Sequence, residues 1–199
     1  MSRFLSAFLF LLFAHIHAQT PAVIDRNDPA KAEQLLRELL RTSPEMLARN
    51  NYDYLLARLL DIRGAYAEAA PLFQRVVTRN SPLAGYALWH LAEIARASGK
   101  LNEEQAALQK LIAQFLDHLW REKAQRRLGE SYFHSGNYQA ALATLRALGP
   151  RRDLLPRIGE AQAALRQIEA ARATFEAALA GGSTDDTALR AVVNLDKLD

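Results

Sequence analysis

The side chains able to do acid–base or metal chemistry are few and scattered. The chain has five histidines and no cysteine. His15 and His17 fall in an apolar N-terminal stretch. His90 and His118 stand without a second His or a carboxylate at ligand spacing on the same helical turn. His134 has Glu130 four residues before it, the spacing of an ion pair on one helix face. Two ligands do not close a metal site. The sequence contains no HExxH, no Gly-rich phosphate loop and no Gly-x-Ser-x-Gly. The reading is a non-enzyme with no metal and no cofactor. Two Arg pairs, Arg126-Arg127 and Arg151-Arg152, are interleaved with Glu and Asp, the pattern of solvated helix faces. With a formal net charge of only +3, they do not argue for a nucleic-acid partner.

The first residues have the form of a secretory signal peptide, assigned to 1–18. Arg3 supplies the basic start, Phe4 to Ala14 an apolar run, and Ala18 a small residue for cleavage. The run falls short of the roughly 20 apolar residues of a spanning helix, so no stable membrane insertion is expected after cleavage. The expected location is the periplasm or the exterior of a bacterial cell. Without cysteine, an exported chain can have no disulfides and must be stabilised by packing.

Residues 19–27 read as a flexible N-terminus and 28–199 as a single helical domain. Ala, Leu, Arg, Glu and Gln, all good helix formers, dominate the composition. Asp28 is a suitable N-cap and Pro29 a suitable first helical residue. Apolar residues then recur at helical spacing over about 29–43, 45–62, 66–79, 83–98, 101–115, 119–134, 138–148, 152–165, 168–180 and a last segment capped by Asp185 or Asp186. Pro71 is expected near a first helical turn. No alternating run argues for strand.

Three stretches repeat one phrase: Gly64-Ala65-Tyr66 running to Phe73, Gly99-Lys100-Leu101 to Leu108, and Gly136-Asn137-Tyr138 to Leu145. The glycines lie about 35 and 37 residues apart, the period of a stacked helix-pair array. The segment 122–153, through Leu128-Gly129, Tyr132, Gly136, Tyr138, Ala141, Leu145 and Leu148, resembles a tetratricopeptide repeat. Segments 85–116 and 50–81 resemble it through Leu91-Ala92, Gly99 and Leu108, and through Leu56-Ala57, Gly64 and Phe73. Glu104 departs from the motif, which has Ala there. The resemblance implies an all-α fold, an α-solenoid of antiparallel pairs with about three clear repeats plus capping helices. After Pro150 the spacing shortens, and the repeat frame is expected to be weakest there.

Such arrays bind through the concave face lined by the first helix of each pair. The family's inward positions fall on Asn51, Tyr54 and Arg58, then Tyr86, Trp89, Glu93 and Arg96, then Lys123, Arg126, Glu130 and Phe133. Aromatics and Arg together are the composition of a binding hot spot. The resemblance therefore implies a scaffold for a protein or peptide with acidic and apolar groups. A second, looser resemblance is to the N-terminal helical region of soluble lytic murein transglycosylases, through Leu88-Trp89-His90-Leu91-Ala92 and Gly129-Glu130-Ser131-Tyr132-Phe133. It implies an alternative: a non-catalytic domain acting on peptidoglycan or in a murein-processing complex.

Overall fold

The computed structural model describes residues 28–180 and 186–198; the signal-like stretch, 19–27 and 181–185 lie outside it. Eleven α-helices run in chain order among the described residues: α1 (Pro29–Thr42), α2 (Pro44–Arg49), α3 (Tyr52–Ile62), α4 (Tyr66–Thr78), α5 (Ala84–Ala97), α6 (Leu101–Gln114), α7 (Arg121–His134), α8 (Tyr138–Arg146), α9 (Leu155–Ala164), α10 (Ile168–Leu179) and α11 (Asp186–Leu195). A single 3₁₀ turn, Arg152–Leu154, precedes α9. None of these helices is long and apolar enough to cross a membrane.

Each helix packs on the next, and the core forms three successive clusters rather than one centre. That is the quasi-linear arrangement of a repeat array. Four helix pairs share one internal frame. Ala57, Ala92, Gly129 and Gly159 on the first helices are each followed, sixteen residues on, by a large buried residue of the second: Phe73, Leu108, Leu145 and Phe175. The small residues are required. A Cβ on Gly129 would come within 2.5 Å of the Leu145 side chain, and one on Gly159 within 2.3 Å of the Phe175 ring.

Seven residues after each small residue the first helix stops at positive φ: Gly64 at 79°, Gly99 at 70°, Gly136 at 77° and Arg166 at 61°. In each case the next amide bonds back to the helix: Ala65 N to Leu60 O, Lys100 N to Ala95 O, Asn137 N to Tyr132 O and Gln167 N to Gln162 O. The expected weakening after Pro150 is partial. The fourth pair keeps the frame with Arg in the glycine place, and the shorter spacing comes from shorter helices, 9 residues in α8 and 10 in α9.

The expected helix 45–62 is also corrected. It breaks into α2 and α3 at Asn51, which lies at φ 56°. The break is held from the connection between α4 and α5. Arg79 Nη2 donates to Asn51 Oδ1 at 2.9 Å and to Asp53 Oδ1 at 2.8 Å, and Ser81 Oγ donates to Asn51 Oδ1 at 2.6 Å. Asp53 is fully buried by this pairing. Asn51 is thereby committed to structure. Pro71 lies inside α4 rather than at its first turn. Asp28 caps α1 as expected, accepting from Lys31 N at 3.0 Å.

Candidate functional site

The first helices α3, α5, α7 and α9 place equivalent residues side by side. The residue just after each small position is Arg58, Glu93, Glu130 or Glu160, and the residue two before it is Leu55, His90, Arg127 or Arg157. The structure joins the first set to the second across repeats. Arg127 Nη1 donates to Glu93 Oε1 at 2.8 Å. Arg157 Nε lies 2.8 Å from Glu130 Oε2, at an angle that makes an ion pair rather than a hydrogen bond. Arg190 Nη2 donates to Glu160 Oε1 at 2.8 Å and to Oε2 at 2.9 Å. This ladder of Glu-to-Arg rungs neutralises the first-helix face from α5 onward.

Arg127 reaches deeper still. Its Nε donates to Glu104 Oε1 at 2.6 Å, and Ser131 Oγ donates to Glu104 Oε2 at 2.9 Å. Glu104 is 1% exposed. The residue that departs from the repeat motif is therefore a buried anchor for the ladder. Arg127 is not the solvated side chain expected of an Arg pair. Arg126 and Arg151 do pair at the surface, with Asp153 at 2.5 Å and with Glu122 respectively.

At the α3–α5 junction the rung is replaced. Arg58 stands where the later repeats have Glu, and His90 where they have Arg. Arg58 Nη1 donates to Asp61 Oδ2 at 2.5 Å and approaches His90 Nδ1 at 3.3 Å. Asp61 Oδ2 is also 3.3 Å from that nitrogen. His90 stacks on Phe73 at 5.1 Å. Burial pushes its pKa down to about 4, and the Arg58 and Lys123 cations push the same way. Nδ1 of the neutral ring thus faces both the Arg58 guanidinium and the Asp61 carboxylate, while Nε2 is buried with no hydrogen-bond partner among the described residues. Burial raises the Asp61 carboxyl above its ordinary value.

A cleft of about 600 Å³ opens here, lined by Arg58, Asp61, Tyr66, His90, Glu93, Arg96, Ala97 and Arg127. Arg127 is answered by Glu93 and Glu104, and Arg58 by Asp61. Arg96 has no hydrogen-bond or ion-pair partner among the described residues and is exposed. The cleft can thus accept an anionic group without first breaking an internal pair at Arg96.

Three of the eleven inward residues, Arg58, Glu93 and Arg96, meet in this cleft. Trp89 does not line a surface. It is 5% exposed, 5.7 Å from Trp120, with Lys123 Nζ 4.4 Å above its ring. Tyr86 packs edge-on against His118 and Trp120, and Tyr54 against Phe73. Their rings support the face from beneath, because the neighbouring pair comes close enough to cover them. Arg126 is paired with Asp153, Glu130 with Arg157, and Phe133 lies under the Arg157 guanidinium at 4.3 Å. Sequence reasoning missed Asp61, His90 and Arg127. Each faces a residue about 30 positions away, so spacing along one helix gave no sign of it. The repeat frame itself was the signal, since His90 and Arg127 occupy one register position.

Among the described residues, no three or more His, Asp or Glu side chains are placed to hold a metal ion. No curated protein matches the sequence. Among solved structures the chain is similar to the MamA protein, at 18% identity with TM-score 0.60, over 77% of this chain and 82% of that one. It is similar also to nearly identical TPR-like repeats of a candidate kinesin light chain from Podosopora anserina, at 21% identity with TM-score 0.56, over 77% of this chain and 86% of that one. These likenesses concern the fold. Tetratricopeptide repeat families match residues 19–82, 54–117 and 123–149. The resemblance to murein transglycosylases finds no support in these matches. With more than half of the sequence matched and the helix-pair frame kept throughout, the chain belongs to the tetratricopeptide repeat family.

Proposed function

We propose that this chain is an exported, non-catalytic scaffold that holds a segment of another protein against its concave first-helix face, with the α3–α5 cleft as the point of grip. The observation that carries the reading is Arg96, a cation lining the cleft with no internal partner while its neighbours are neutralised. An unpaired guanidinium can engage a carboxylate bidentately at little internal cost. The segment it suits is extended or helical, with acidic groups for Arg96 and apolar groups for Tyr66 and Ala97. Selection from a displayed peptide library tests this. Acidic peptides should be retained by the chain and lost with Arg96→Glu; enrichment of peptides without Asp or Glu, or retention unchanged by the variant, would contradict it.

Export to the periplasm or the exterior is supported by the N-terminal pattern and by the repeat match, which starts at residue 19, just after the proposed cleavage point. Fusing residues 1–27 to alkaline phosphatase, active only outside the cytoplasm, tests it in a bacterial host. An inactive reporter would contradict export.

A further inference from the structure

Lys123 is the cation that the ladder leaves out. It stands on α7 one turn before Arg127, exposed and outside the rungs, with no hydrogen-bond or ion-pair partner among the described residues. Aromatic rings hold it instead: its Nζ lies 4.4 Å from the Trp89 ring centroid and 5.6 Å from that of Trp120. A ring face steadies an ammonium without supplying an anion, so the charge stays uncancelled. Its field reaches the α3–α5 cleft, where Lys123 is one of two cations that help to keep His90 neutral. Two contacts fix its position relative to Arg96. Lys123 meets Trp89 and Arg127 meets Glu93, each 34 positions back, so α5 and α7 run parallel. Arg96 is seven residues beyond Trp89 on α5, which places it about 10 Å further along the helix axis.

We propose that Lys123 is a second anion contact for the segment gripped at Arg96, so that the partner carries two acidic groups about 10 Å or more apart along the first-helix face. The inference rests on the Arg96 reading and deepens it. Charge complementarity singles out these two cations. Arg58, Arg126, Arg127 and Arg157 already face carboxylates, which a ligand acid would have to displace. Lys123 has nothing to give up. An ammonium has three donors, so it can keep a ring face and still donate to a carboxylate. The spacing then becomes a specificity rule. An extended segment advances about 3.3 Å per residue, so acids three or four positions apart reach both cations, whereas adjacent acids serve one.

The probes are two peptides of identical composition, free of Trp, with two Asp residues either adjacent or four positions apart. Binding to the whole chain is read by anisotropy of a label on the peptide. The spaced peptide should bind about threefold to fivefold more tightly, the worth of one exposed charge pair. With Lys123→Gln the two should bind alike, and Lys123→Arg should restore the preference. Intrinsic fluorescence gives a second readout, because both tryptophans of the chain lie in ring contact with Lys123. The spaced peptide should change their emission, and Lys123→Gln should remove the change. Equal binding of the two peptides by the wild-type chain, or a preference that survives Lys123→Gln, overturns the proposal. The Arg96 reading fails separately, when Arg96→Glu leaves binding of the adjacent peptide unchanged. No binding by either peptide overturns both.

Discussion

The α3–α5 junction and the junctions that follow it use the same register positions for opposite ends. From α5 onward, Glu and Arg close on each other across every step, so the face is charged but satisfied. At α3–α5 the Glu is Arg58, the Arg is a neutral His90, and Arg96 beside them has no partner among the described residues. A count of charged residues would rate the ladder the better binding surface. Pairing reverses that ranking, because a ligand at the ladder must first displace an internal partner.

The comparison can be broken most severely at the ladder's buried anchor. Glu104→Ala leaves Arg127 Nε and Ser131 Oγ without the acceptor they share, while Glu93 still takes Arg127 Nη1. Breaking a buried pair costs about 3–5 kcal/mol, to be read from the urea midpoint at constant slope. Next comes His90. Its folded pKa of about 4 lies below the ordinary histidine value of 6.5. The unfolded state therefore binds the extra proton between those values. The contribution of His90 is present in full above about pH 6.5 and is lost as pH falls toward 4, by roughly 3 kcal/mol at most. Stability measured from pH 7 to 4 should decline, and His90→Phe should flatten that decline. A profile identical in the variant would mean that His90 is not the titrating group.

Gly159→Ala tests whether the fourth pair is as tightly framed as the third. The added Cβ presses on the Phe175 ring, and overpacking of this kind costs about 1–3 kcal/mol in thermal or chemical denaturation. A neutral outcome would show a looser C-terminal frame. Smallest is Glu130→Gln, which weakens one half-exposed rung by about 0.5–1 kcal/mol.

Much of the fold was legible in the sequence. Leu and Ala periodicity, glycine stops and the Asp28 cap fix local structure through contacts within one helix, and each is found in place. The break at Asn51 was not legible, because Arg79 and Ser81, which hold it, lie almost 30 residues on. The fourth pair was obscured because Arg166 takes a left-handed stop that composition assigns to glycine. The site was legible in part. Register placed Arg58, Glu93 and Arg96 on one face, but burial of Trp89 and pairing of Glu130 and Arg126 arise between repeats. His90 looked isolated for the same reason: Arg58 and Asp61 come to it from the preceding pair.

The most direct test compares the two regions with one ligand. An acidic peptide selected on the wild-type chain is titrated against Arg96→Glu and against Arg190→Glu, each confirmed folded by circular dichroism. Loss of about tenfold or more in affinity at Arg96, with a change within twofold at Arg190, is the predicted result. Equal losses at both, or a loss at Arg190 alone, would contradict the assignment of the α3–α5 cleft as the binding point.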